Sequence, residues 1–228
     1  MREIILDTET TGLSPDKGHR ITEIGCVELF NHIPTGQFYH SYVNPERDVP
    51  PQAAAISGLT TEFLRPFPVF AHVVEDFLAF IGDSPLVIHN ASFDLMFLNA
   101  ELKRLEKPVI PATRALDTLV MARKKFPGSP ASLDALCKRF NIDLSKRDKH
   151  GALIDSELLA QVYLELLGGR QRVLKIDAMS EAEETVARAE RNHQFPVRRF
   201  NLSPSEKEAH TEFVKQLKNP LWEKLFSS

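Results

Sequence analysis

The sequence predicts an α/β fold: a mixed sheet flanked by helices, followed by a C-terminal linker and a helical tail. Three observations carry that prediction. Strand-like runs come first, a strand and several helices interleave after about residue 51, and the composition turns polar beyond Gly168-Gly169. A chain of 228 residues accommodates one domain with an appendage.

Ile4-Ile5-Leu6 is a short buried run, and Ile21, Ile24, Cys26 and Val27 sit in a largely alternating stretch that ends at Phe30. Pro34-Thr35-Gly36 predicts a turn, and residues 38–43 alternate again, so the N-terminus reads as a three-strand meander. Phe70, Val73, Val74, Phe77, Leu78 and Ile81 then follow helical spacing. Pro85-Leu86-Val87-Ile88 reads as a buried strand, and helices are expected over 92–105, 133–140 and 153–167. Residues 177–199 are polar and read as a linker. Order returns at Ser203-Pro204-Ser205-Glu206, which has the residues of a capping box with proline at the first helical position. Phe213, Val214 and Leu217 form a stripe there, Pro220 ends it, and Leu221, Trp222, Leu225 and Phe226 follow. One helix cannot build a core alone, so this tail either packs on its own domain or docks on another protein.

Composition narrows the function. With 28 basic and 31 acidic residues the formal net charge is −3, which excludes a basic nucleic-acid coat. Only Cys26 and Cys137 are present, which excludes a disulfide framework and a thiolate zinc site. The N-terminus lacks a signal-peptide apolar stretch, and no apolar run approaches the roughly 20 residues of a membrane span. A cytoplasmic setting without membrane contact is the expectation.

The acids carry the chemistry. Strand side chains repeat every second residue, so Asp7 and Glu9 share a face. Two carboxylates about 4 Å apart repel by on the order of 4 kcal/mol at an effective dielectric near 20, which a hard divalent cation such as Mg²⁺ or Mn²⁺ relieves. The bland reading of this pair is a solvated strand end. Asp94 follows the 86–88 strand near a helix start, where it could simply answer the helix dipole. Asp155 is harder to explain away, because Leu158, Leu159, Val162 and Leu166 put it on an apolar stripe where a carboxylate needs a partner. His150 precedes Gly151 and that helix; an imidazole with an ordinary pKa near 6.5 is a general-base candidate.

Together, Asp7-Thr8-Glu9, His89-Asn90-Ala91-Ser92-Phe93-Asp94 and His150-Gly151-Ala152-Leu153-Ile154-Asp155 resemble the motifs of the DEDD exonucleases of the histidine subtype, over residues 2–170. The runs ILDTETTGL, RITEIGCVEL and HGALIDSELLAQVYLELLGGRQ are similar to the epsilon proofreading subunits of bacterial DNA polymerase III. The resemblance implies a ribonuclease H-like fold with a mixed five-stranded sheet flanked by helices. It implies a 3′→5′ DNA exonuclease that hydrolyses the terminal phosphodiester and releases nucleoside 5′-monophosphates. Two Mg²⁺ or Mn²⁺ ions would be held by Asp7, Glu9, Asp94 and Asp155, with His150 as general base. The single-stranded 3′ end of DNA would be contacted by Thr10, Leu13, Ser57, Asn90 and Phe93 beside Asp7, Glu9, His150 and Asp155. Relatives often place a histidine where Ser57 stands, and Asp117 reads as structural rather than as a ligand.

The implied organisation is an exonuclease domain over 1–170, a linker over 171–200 and a polymerase-docking tail over 201–228. Gln171-Arg172-Val173-Leu174-Lys175-Ile176 is similar to peptides that bind the sliding clamp, and the tail with Leu221-Trp222 resembles the segment that binds the polymerase alpha subunit. Two other functions fit the same residues: an exoribonuclease of the same superfamily, and a non-catalytic scaffold that only stabilises a polymerase.

Overall fold

β-Branched and aliphatic residues alternate through the first 42 residues and produce three antiparallel strands: β1 (Arg2–Thr10), β2 (Ile21–Phe30) and β3 (Ile33–Tyr42). In the computed structural model, which describes residues 1–145, 149–168 and 203–216, two short strands complete the sheet. These are β4 (Leu86–Ile88) and β5 (Ala115–Asp117), both parallel to β1, giving the order β3-β2-β1-β4-β5. The mixed five-stranded sheet is therefore the expected one.

The β2–β3 turn falls elsewhere than the sequence reading put it. Asn31 and His32 both have positive φ, 52° and 66°, and form the connection, while Pro34-Thr35-Gly36 lies inside β3. A two-residue hairpin needs left-handed backbone at both central positions, and Asn and His tolerate it better than most side chains. Gly36, at φ 85°, belongs to the irregular register between Val27 and Leu29 instead.

Both faces of β1 are covered, because its side chains alternate. Ile4 and Leu6 pack with α3 (Phe70–Ile81) and α4 (Ala91–Arg104), including Phe77, Phe97 and Leu98. Ile5 faces the other way, onto Leu159, Ala160 and Tyr163 of α7 (Ala152–Leu166). The remaining helices of this unit are α1 (Pro51–Ser57) and α2 (Thr61–Leu64), which precede α3, and α5 (Thr118–Lys125) and α6 (Leu133–Arg139), which precede α7. The sequence reading missed α1 and α2, since α1 buries no residue and α2 buries only Leu64. It missed β5 for the same reason: its three residues are only half buried.

The chain divides into two compact units, Met1–Val173 and Leu174–Ser228. The second contains α8 (Pro204–Gln216). Its capping box is formed: the Ser203 N–H donates to Glu206 Oε2 at 2.8 Å, and the Glu206 N–H donates to Ser203 Oγ at 3.3 Å. No residue of α8 is buried, and Phe213 is 60% exposed. The clamp-like segment 171–176 and the residues Leu221 and Trp222 lie outside the described residues. Among the described residues no helix is long and apolar enough to cross a membrane.

Candidate active site

The C-terminal half of β1 brings Asp7 and Glu9 to one face, and its pairing with β2 sets Asp7 opposite Gly25 and Glu9 opposite Glu23. The glycine is a spatial requirement. A Cβ on Gly25 would stand 2.3 Å from the Ala152 carbonyl carbon and 2.3 Å from the Leu153 nitrogen. The first turn of α7 therefore rests directly on the β2 backbone beside Asp7. The buried Ser156 hydroxyl fastens it there by donating to the Gly25 carbonyl at 2.9 Å. This close approach carries Asp155, 4% exposed, to the end of β1.

One ligand atom each from Glu9, His150 and Asp155 lies within 4.8 Å of the others. His150 Nδ1 is 3.2 Å from Asp155 Oδ2, and the ring is 46% exposed. Asp7 is the centre of the negative charge: burial raises its pKa well above the usual carboxylate range, and Asp94, Glu9, Asp155 and Glu23 raise it further. Asp94 is differently held. Its Oδ1 accepts from the Thr8 N–H at 3.0 Å and the Thr8 hydroxyl at 2.7 Å. Burial pushes its pKa up to about 7, against the opposing pull of those hydrogen bonds.

Asp117 supports this arrangement without joining it. It caps α5 through the Leu119 N–H at 2.8 Å and accepts from the Asn90 and Ala91 amides at 3.1 and 3.2 Å. Asn90 can then hold φ 65° at the sharp turn that launches α4 and Asp94.

A divalent cation fits this donor set. After burial, the contributions acting on Asp7 all come from carboxylates, and an oxygen-rich cluster with one imidazole suits Mg²⁺ or Mn²⁺. Glu9, Asp155 and His150 converge directly, and Asp7 stands close enough to them for Asp94, Glu9 and Asp155 all to raise its pKa.

The predicted substrate residues divide among different surroundings. Glu9, Thr10, Leu13 and Phe93 line a cleft of about 490 Å³, together with Ile56 and His19. Leu13 is 82% exposed and Ile56 56%, an unusual display of apolar surface beside a charged site. The Thr10 hydroxyl is spent on the Gly12 carbonyl at 2.7 Å. Ser57 lines a second cleft, of about 440 Å³, with His150, Lys149 and Tyr42. Its hydroxyl donates to the Ala53 carbonyl and accepts from the Leu59 N–H, both at 3.2 Å, so it serves the end of α1. Asn90 is exposed at its turn and lines neither cleft.

Glu23 is the acid that sequence reasoning missed. It is 3% exposed and accepts from His40 Nε2 at 2.7 Å. A polar residue inside the buried run Ile21-Thr22-Glu23-Ile24 was its signal, but only the strand register shows which face it shares.

Comparison with known proteins gives a consistent picture. The family profile described as Exonuclease (RNase_T) matches residues 4–163. The chain is 50% identical over 222 residues to a Rickettsia felis protein named DNA polymerase III subunit epsilon, covering 95% of this chain and 97% of that one. It is 47% identical over 177 residues to the protein of the same name from Escherichia coli K12, covering 74% and 72%. Among solved structures it is similar to exonuclease X in complex with 5′ overhanging duplex DNA, with a TM-score of 0.57, 28% identity and coverage of 72% and 90%. The nuclease domain of 3′hExo, a DEDDh family member bound to rAMP, shares the fold at a TM-score of 0.63 and 22% identity, covering 73% and 91%.

Proposed function

This chain belongs to the RNase_T exonuclease family, and we infer that it is a 3′→5′ DNA exonuclease acting as the proofreading subunit of a bacterial DNA polymerase III. The observation that carries the reading is the convergence of Glu9, Asp155 and His150 on one point, beside an Asp7 whose pKa is raised by burial and by four other carboxylates. A scaffold has no use for acids held together at this electrostatic cost.

The chemistry is metal-dependent, and we assign Asp7, Glu9, Asp94 and Asp155 to hold two Mg²⁺ or Mn²⁺ ions. When bound, such ions activate water, neutralise charge on the phosphodiester and reverse the local sign of an acidic protein. The chain's own groups do the rest. His150 Nδ1 faces the Asp155 carboxylate, which orients the ring, and Nε2 takes the proton from the attacking water. The His150 N–H donates to the Ile56 carbonyl at 3.3 Å, tying the base-bearing loop to the end of α1. Leu13, Ile56 and Phe93 offer apolar surface to a terminal nucleotide freed from its stack, which favours frayed, mismatched ends. Residues 201–228 are the proposed docking segment for the polymerase alpha subunit, and 171–176 the proposed clamp contact.

The test is the full chain with Mg²⁺ and 3′-labelled single-stranded DNA. The wild type should release nucleoside 5′-monophosphates. Asp7→Asn should slow release by on the order of 10³-fold, as expected if about 4 kcal/mol of metal-borne stabilisation is lost, with an unchanged circular dichroism spectrum. Undiminished digestion by Asp7→Asn would refute the assignment. Matched RNA oligomers, run in parallel, test the exoribonuclease alternative.

A further inference from the structure

We propose that Lys149 is a substrate-binding residue that holds a non-scissile backbone phosphate of the strand whose 3′ end lies at the metal site; the proposal rests on the exonuclease reading above. Lys149 immediately precedes His150, and its side chain has a defined bed. Gly58 ends α1 with φ 79°, a conformation that favours glycine, and a Cβ there would meet Lys149 Cδ at 2.7 Å and Nζ at 3.4 Å. The lysine stem therefore lies across the bare Gly58 backbone, with its ammonium beside it. The hydrogen bond from the His150 N–H to the Ile56 carbonyl fixes the same ridge, so one helix end sets both Lys149 and His150.

Lys149 lines the second cleft, whose wall also includes Ser57, Tyr42, His150 and Ile154. Lys149 forms no ion pair with a described carboxylate. Glu23, the acid of that cleft, is instead engaged by His40 at 2.7 Å. The Ser57 hydroxyl is committed to the α1 backbone, so Lys149 is the cation on this wall of the cleft. A strand bound with its terminal phosphodiester at the carboxylate cluster must carry its next phosphates past a strongly negative site. A lysine suits such a phosphate as a compact point charge that tolerates variable geometry and reads no sequence.

The experiment uses the full chain and single-stranded oligonucleotides of mixed sequence. With Mg²⁺ fixed, Lys149→Gln should raise KM about fivefold whatever the sequence, and should make the decline of log(kcat/KM) with log salt shallower by about 0.7. Lys149→Arg should restore both. A single neutral methylphosphonate next to the scissile linkage should penalise the wild type by a similar factor and Lys149→Gln by none. Fluorescence anisotropy with Ca²⁺ in place of Mg²⁺ reads the same contact without turnover. An inactive wild type would thus sink the exonuclease reading alone, while the affinities still judge the lysine. An unchanged KM and salt slope in Lys149→Gln, or an equal methylphosphonate penalty in both proteins, overturns the proposal.

Discussion

Asp94 shows how burial can outweigh hydrogen bonding at a single carboxylate. Thr8 gives it two hydrogen bonds, yet burial dominates and its pKa stands at about 7 instead of 3.8. An acid whose pKa is raised on folding binds its proton more tightly in the folded chain, so its ionisation opposes folding. That penalty is absent below pH 4, grows as pH rises towards 7, and then stays at a level on the order of a few kcal/mol. Asp7, raised by burial and by its acidic neighbours, acts in the same direction. The metal-free chain should therefore lose melting temperature between pH 5 and pH 8, and Mn²⁺ should restore more of it at pH 8 than at pH 5. Asp94→Asn should flatten both trends in a thermal-shift titration. An Mn²⁺-induced shift that is the same at both pH values would show that these carboxylates do not receive the ion. Much of this was legible in the sequence, because Asp155 on an apolar stripe and Asp7-Thr8-Glu9 in a buried strand are anomalies of local pattern. Glu23, Ile56 and Lys149 were not, since each matters only through a neighbour distant in the chain: Glu9 across the β1–β2 ladder, Leu13 across the cleft, and Gly58 beneath the lysine.

At the scale of elements, the site exists because α7 comes nearly into backbone contact with β2. The sequence displayed α3, α4 and α7 through their apolar stripes, and it displayed the central strands through their alternation. It did not display the distance between α7 and β2, because a glycine in a strand names no partner. Gly25→Ala isolates that distance. The added methyl group would meet backbone atoms of Ala152 and Leu153 at 2.3 Å, and backbone cannot swing aside as a side-chain tip does. The α7 start must lift, stretching the Ser156 bond to the Gly25 carbonyl and drawing Asp155 and His150 away from Asp7 and Glu9. The expected stability loss is about 1–3 kcal/mol, the usual cost of overpacking. Mn²⁺ affinity measured by calorimetry should fall more than tenfold, equivalent to about 1.4 kcal/mol or more. A Gly25→Ala protein that melts lower but binds Mn²⁺ as the wild type does would mean the ligand geometry does not depend on this contact.

Over the whole molecule, the docking role proposed for residues 201–228 would divide catalysis and attachment between the two units. The buried clusters among the described residues all fall within residues 4–166, whereas α8 buries none of its side chains. Removing everything after Val173 therefore takes away no core that the described residues define. The truncated chain should melt within about 2 °C of the full one and digest free single-stranded DNA at the same rate, since a difference of a few tenths of a kcal/mol is all that lost surface helix predicts. Its behaviour beside a polymerase should differ. A segment that binds the polymerase would hold the nuclease near the growing 3′ end at an effective concentration in the millimolar range, which free diffusion at cellular protein levels does not match. Truncation should consequently abolish co-purification with the replicative polymerase and reduce mismatch removal during synthesis to that of an unattached nuclease added at the same concentration. A truncated chain that still co-purifies would move the docking surface onto the exonuclease unit, where the exposed Phe30, Ile33 and Phe38 of the β2–β3 hairpin would be the first side chains to change.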